Sequence, residues 1–401
     1  MAWKPALHAN EDRRSRRAAE SVDYPFLILI LLLLAVGLTM LYSASYAQSE
    51  YDTGYAISTK YLQKQGVCAA IGLVAMYFFS RIPAKVWFRL AWPLYGFSIV
   101  LLLSVLVVGQ EVNGAKRWIN LAGIQFQPSE VAKFTMIVLF ARLTRLFGQD
   151  AKQFRCGVLG FGGALLGILV PLALEKHLSA IMLMGMVAVV MMFVAGTSPR
   201  WLLAGAGAAV VFVLIYISFM GYAGDRVTAW LHPEQDPGDT GYQILQSLYA
   251  IGSGGLFGLG FGKSRQKYLY LPFQYNDYIF AICCEELGLV GALAIVALFA
   301  ITIFRGYWIA LHAADRFSTV LAAGLVTLIA VQTILNLCVV TNLLPSTGIA
   351  LPFFSYGGTA LAVNLGEMGI VLQISRYRTT ERSRRNPYEF DFHLRRHRRT
   401  H

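Results

Sequence analysis

Ten stretches of this 401-residue sequence stay apolar for close to the ~20 positions that a helix needs to cross a bilayer. They are 24–44, 64–80, 87–108, 128–146, 156–174, 178–195, 201–220, 278–304, 318–340 and 353–374. Charged residues make up 14% of the chain, against about 25% in soluble domains. The expectation is an all-α polytopic membrane protein of about ten transmembrane helices. The longest connection, 221–277, is expected to form an external loop between helices 7 and 8.

The net charge of +12 is distributed as the positive-inside rule requires. Ten spans put both termini on one side, and both termini are basic. Arg13, Arg14, Arg16 and Arg17 stand in front, and nine arginines run from Arg376 to Arg399 behind. With the termini cytoplasmic, 24 of the 34 Lys and Arg fall on the inner side. Nine fall in outer loops, and Lys133 lies within a span. The tails lack the interleaved aromatics of a nucleic-acid platform, so nucleic acid is not the expected partner. The organisation expected is a cytoplasmic tail (1–23), a membrane domain (24–375) and a second cytoplasmic tail (376–401). The first apolar run follows a hydrophilic tail and has no small-residue cleavage site, so it reads as a retained anchor. The five cysteines show neither disulfide nor metal-ligand spacing.

Loops as long as 221–277 usually carry function. Within it, Ile244, Leu245, Leu248 and Ile251 recur at helical spacing, which predicts a short amphipathic helix at the outer interface. The stretch "GLGFGKS" (258–264) only imitates a phosphate loop, because its first glycine stands one residue too close to Gly-Lys-Ser.

Charges within a span cost ~2.5–3.5 kcal/mol each, so each needs a reason. Glu130 and Lys133, three apart on the fourth span, are expected to pair, mainly as a structural element. Glu175, Lys176 and His177 fill a tight outer turn, and no role follows for His177. Asp277 opens the eighth span, with Glu285 and Glu286 two turns further in. A helix cap is the ordinary reading of Asp277 and a general base the functional one; the residues leave both open. "NGAKRW" (113–118) adds Lys116, Arg117 and Trp118, and "LLPSTGIALPFFSYGG" (343–358) gives the tenth helix a Pro/Gly-broken entry. Irregular backbone of that kind lines cavities. All these features gather on the outer leaflet, which suggests a site that opens outward.

Four stretches resemble the signatures of the FtsW/RodA/SpoVE (SEDS) family in order: "NGAKRWINLAGIQFQPSEVAKF", "GYQILQSLYAIGSGGLFGLGFG", "KYLYLPFQYNDYIFAICCEELG" and "LLPSTGIALPFFSYGG". The match covers roughly residues 24–375, and details such as "GSGGLFG" resemble the division and sporulation branches more than the elongation branch. The resemblance implies a peptidoglycan glycosyltransferase of the bacterial cytoplasmic membrane that polymerises lipid II on the outer face. It implies a class B penicillin-binding transpeptidase as partner, with other divisome or cell-wall synthesis membrane proteins. The family's essential aspartate falls on Asp277, its sensitive tryptophan on Trp118, and the Glu and Lys of its "QPSExxK" motif on Glu130 and Lys133. Phe273, Tyr275 and Asn276 depart from the pattern before the aspartate, as does "EKHLSAI" at the Glu175 turn.

Such a reaction needs a carboxylate to take the acceptor hydroxyl's proton, the role expected of Asp277. It also needs cations for the departing pyrophosphate; Lys116, Arg117, Arg226, Lys263 and Lys267 are the candidates. No cofactor is implied, and a divalent cation is left open. The rival readings are a lipid II flippase and a non-enzymatic scaffold that recruits the transpeptidase.

Overall fold

The structure, a computed structural model, describes residues 21–112, 115–121, 124–205, 207, 226, 228–235 and 240–377. Both basic tails, most of the expected span 201–220 and the loop acids Asp236 and Asp239 lie outside the described residues. In chain order the helices are α1 (Tyr24–Asp52), α2 (Lys60–Phe79), α3 (Ala84–Val108), α4 (Pro128–Phe147), α5 (Phe161–Leu174) and α6 (Leu178–Val194). They continue with α7 (Thr240–Ser253), α8 (Ile279–Leu311), α9 (Arg316–Val340) and α10 (Gly358–Ser375). Six helical stretches among the described residues are long and apolar enough to cross a membrane, and the protein is a multi-pass membrane protein.

Several boundaries move from the sequence expectation for physical reasons. α1 begins where Asp23 accepts the Phe26 N–H at 3.1 Å with Pro25 in the first turn. It then runs on to Asp52, beyond the apolar stretch. α10 starts only at Gly358, because residues 351–357 stay irregular and Phe353 takes a positive φ of 66°. The loop helix α7 is present, but it turns Ile244, Ser247 and Ala250 inward and leaves Leu245, Leu248 and Ile251 half-buried. Ser247 Oγ donates to the Val340 carbonyl at 2.9 Å, docking α7 on α9.

The 110–126 connection holds an element that was not expected. Strands β1 (Gln110–Val112), β2 (Ala115–Leu121) and β3 (Ile124–Phe126) form an antiparallel sheet in the order β1-β2-β3. Trp118 pairs with Gln110, and Ile119 with Phe126.

α8 is broken at Gly288 (φ 68°), where the loop after α7 touches the helix backbone. A Cβ on Gly288 would stand 2.3 Å from the Gly258 nitrogen, so both glycines are needed for this approach. The break frees helical backbone groups, and the loop satisfies them. Leu259 and Gly260 donate to the Glu285 and Glu286 carbonyls (2.9 and 3.0 Å), and Leu289 and Val290 donate to the Gly255 and Leu256 carbonyls (2.9 and 3.1 Å).

Contacts between connections sort into two opposite faces. On one, Asp23 holds Arg305 (2.8 Å) and its N–H meets Ser375 Oγ (3.1 Å), Arg316 donates to the Ala195 carbonyl (2.8 Å), and Arg142 to the Phe88 carbonyl (2.8 Å). Every one of these connections was expected on the inner side. The connections expected outside meet on the other face, and the candidate site lies there.

Candidate active site

Asp277 stands just before α8, half-buried. The cap position belongs to Tyr278, which makes no side-chain cap bond, so the capping reading of Asp277 loses its support. Its backbone carbonyl is held instead by Asn336 Nδ2 of α9 at 2.7 Å, and the same amide also reaches the Ile349 carbonyl at 2.8 Å. One asparagine thus ties the start of α8 to the loop that precedes α10. Gly348 (φ 68°) brings that loop so close that a Cβ would lie 3.3 Å from Asp277 Oδ2. Among the described residues the carboxylate accepts no hydrogen bond. Burial raises its pKa to about 6, against a smaller opposing pull from Arg226.

The same loop gathers the other connections expected outside. Arg226 Nη1 donates to the Ser346 carbonyl at 2.9 Å, and Ser179 at the start of α6 donates to the Thr347 carbonyl. Arg117 Nη2 donates to the Lys176 carbonyl at 2.6 Å, fixing β2 on the Glu175–His177 turn. Burial pushes Glu175 up to about 8, with Arg117 opposing it, and holds His177 down at about 3, helped by Arg117 and Lys133. Burial thus favours the uncharged form of both groups.

Glu130 and Lys133 pair at 2.7 Å in the first turns of α4, both buried, as expected. They are part of something larger. Glu367 of α10 lies within electrostatic reach of both and is 2% exposed, and among the described residues neither of its carboxyl oxygens has a hydrogen-bond partner. Sequence reasoning passed over Glu367, although a lone carboxylate within a span was the signal available.

The structure divides the expected cations. Arg117 and Arg226 join the network that ends at Asp277. Lys116 and Trp118 alternate with Arg117 along β2 and so occupy the strand's opposite face. Lys263 is exposed. Lys267 does not fit the expected role at a substrate: it is 2% exposed and its ammonium is fully engaged. It meets Glu286 Oε1 at 3.0 Å, Ser43 Oγ at 3.1 Å and the Gly262 carbonyl at 2.7 Å, which uses all three donors. Glu285 does similar work, accepting from Ser264 Oγ and from the Arg265 (2.9 Å) and Gln266 (3.3 Å) N–H groups. The two glutamates are loop staples: they satisfy backbone and serine donors that the kinked helix brings close.

A family model described as "Cell cycle protein", FTSW_RODA_SPOVE, matches residues 24–380. The chain belongs to this family. It is 39% identical over 361 residues to the "Probable peptidoglycan glycosyltransferase FtsW" of Geobacter sulfurreducens, covering 89% of this chain and 95% of that one. It is 38% identical over 360 residues to "Stage V sporulation protein E" of Bacillus subtilis, covering 89% and 98%. Its structure resembles a chain from "Structural coordination of polymerization and crosslinking by a peptidoglycan synthase complex" with a TM-score of 0.76, at 29% identity over 90% of this chain and 99% of that one. FtsW and SpoVE relatives place the chain on the division and sporulation side of the family.

Proposed function

We infer that this FtsW/SpoVE-type chain is a peptidoglycan glycosyltransferase that polymerises lipid II on the outer face of the cytoplasmic membrane. The observation that carries the mechanism is Asp277: a half-buried carboxylate, not used as a cap, poised where outer loops converge. In the proposed step the acceptor sugar hydroxyl attacks the anomeric carbon of the donor. Asp277 takes the hydroxyl proton as the new bond forms, and the polyprenyl pyrophosphate leaves with the electron pair. Arg226 and Arg117 are the cations placed to stabilise the departing charge. Burial favours the neutral forms of Glu175 and His177, so the neighbouring turn competes less for the Arg117 charge. A single base and a single displacement imply inversion at the anomeric carbon.

The similar solved chain comes from a synthase complex that couples polymerisation and crosslinking, and this supports a class B penicillin-binding transpeptidase as partner here. Other membrane proteins of division or cell-wall synthesis are further proposed partners.

A base must be ionised to act, so the pKa of about 6 sets the pH dependence. With lipid II, the partner and the purified protein in detergent, kcat/KM for polymerisation is expected to rise tenfold per pH unit below about 6 and to level off above it. A profile flat from pH 4.5 to 7.5 contradicts Asp277 as the base.

Orientation has its own test. The two faces of the fold carry the connections assigned to the inside and to the outside. With cytoplasmic termini, an exposed cysteine at Lys263→Cys is expected to label with an impermeant thiol reagent in intact cells, and one at Lys152→Cys only after lysis. Reversed labelling inverts the topology.

A further inference from the structure

Beside Asp277, three tyrosines from distant parts of the chain come together. Tyr61 opens α2, Tyr275 lies two residues before Asp277, and Tyr356 lies just before α10. Ring centroids are 4.4 Å apart for Tyr61 and Tyr275, 5.0 Å for Tyr61 and Tyr356, and 5.9 Å for Tyr275 and Tyr356. The ring planes are inclined by 37°, 90° and 69°, and all three residues are half-buried, so the rings do not close into a flat stack.

Polar groups surround the rings. Tyr61 donates its hydroxyl to Asp52 Oδ2, Tyr275 donates to the Tyr61 hydroxyl at 3.3 Å, and Lys60 Nζ meets Asp52 at 3.3 Å. The backbone fixes this group to the Asp277 loop. Tyr356 N–H donates to the Tyr275 carbonyl at 2.8 Å, and Ser355 Oγ donates to the Asn276 carbonyl at 2.6 Å. Gln65 of α2 donates to the Ser355 carbonyl (3.1 Å) and accepts from the Gly357 N–H (3.2 Å).

We propose that Tyr61, Tyr275 and Tyr356, with Asp52, form a saccharide subsite that holds a β-linked hexosamine chain next to Asp277. Inclined aromatic faces beside hydroxyl, carboxylate and ammonium groups match a pyranose, whose C–H faces are apolar and whose edge carries hydroxyls. A polyprenyl tail fits poorly, because it would desolvate the polar groups and pair with none of them. A cationic ligand fits poorly too, since Lys60 Nζ already stands 5.6 Å from the Tyr61 ring centre. The subsite rests on the glycosyltransferase reading of Asp277 and adds to it the group that holds the glycan.

The test uses the full chain in detergent and a lipid-free β-1,4-linked N-acetylglucosamine tetrasaccharide, measured by calorimetry and saturation-transfer NMR. Wild-type protein is expected to bind it. Tyr275→Ala is expected to weaken binding at least tenfold and, in polymerisation with the partner, to shorten the glycan strands. Tyr275→Phe keeps the ring and is expected to stay within a few-fold of wild type. Where the alanine variant does not fold, Tyr61→Phe carries the test, because it keeps the ring and loses the bond to Asp52; several-fold weaker binding is expected. A folded Tyr275→Ala protein with wild-type tetrasaccharide affinity and strand length overturns the subsite, as does a wild-type protein that binds no tetrasaccharide. A wild-type protein that binds the tetrasaccharide at these tyrosines yet never polymerises lipid II keeps the subsite and sinks the glycosyltransferase reading instead.

Discussion

Asp277→Asn is expected to lower lipid II polymerisation by ~10²–10⁴-fold, the loss typical of a positioned base. The amide matches the carboxylate in size, so the Asn336 bond to the residue 277 carbonyl and the approach of Gly348 are undisturbed. Stability should move the other way. The folded protein binds a proton at Asp277 more tightly than the unfolded chain does, with a pKa of about 6 against 3.8. Stability from this group is therefore full below pH 4 and lost as pH rises through about 6. Above that window the buried charge costs about 1–3 kcal/mol, a range that allows for partial solvent access. The asparagine variant should consequently melt higher than wild type at pH 7.5 and no higher at pH 4. An inactive variant that melts lower at both pH values would make Asp277 a structural residue, with the base elsewhere.

Lys133→Ala is expected to produce the largest loss of stability. The lysine is 4% exposed, pairs with buried Glu130 at 2.7 Å and lies within electrostatic reach of Glu367 on the neighbouring α10. Removing the lysine leaves Glu130 without its partner in a low-dielectric setting, a change worth ~3–5 kcal/mol for a broken buried pair. Thermal midpoint and yield in detergent should both fall. Rescue identifies the cause: Glu130→Gln in the Lys133→Ala background should restore much of the midpoint, and Glu367→Gln in that background should restore less. A Lys133→Ala protein that melts like wild type but makes no polymer would move the lysine from the scaffold into the active site.

Most of the described spans were legible because apolar length is a one-dimensional property, while most of 201–220 lies outside the described residues; the expected gathering of charges on one face followed from counting spans. Asp277 was legible for the same reason, as a carboxylate at a span's edge. Its status as cap or base was not, since the answer depends on Tyr278 taking the cap position and on Asn336, 59 residues away, holding the backbone. Lys267 illustrates the opposite failure. A loop cation and an intramembrane glutamate 19 residues apart look like separate features until the break at Gly288 folds one onto the other. The β1–β2–β3 sheet was missed although Asn113-Gly114, a hairpin signal, stands between Val112 and Ala115, which pair across it. Tyr61, Tyr275 and Tyr356 carry no shared sequence signal at all. The packing of α2 against α10, the Tyr356–Tyr275 backbone bond and the Ser355–Asn276 bond make them neighbours.

Polymer formation from purified lipid II in detergent micelles is the most direct test, because a micelle has no second leaflet and translocation therefore accomplishes nothing there. The protein should be combined with a transpeptidase partner free of polymerase activity, across several divalent cations, and the products separated by length. Glycan strands should appear with the wild-type chain and fall ~10²–10⁴-fold with Asp277→Asn. Strands formed at the wild-type rate by the asparagine variant would remove Asp277 from the chemistry. No strands from the wild type under any metal or partner, with lipid II carried across the bilayer of a reconstituted vesicle, would make the protein a transporter.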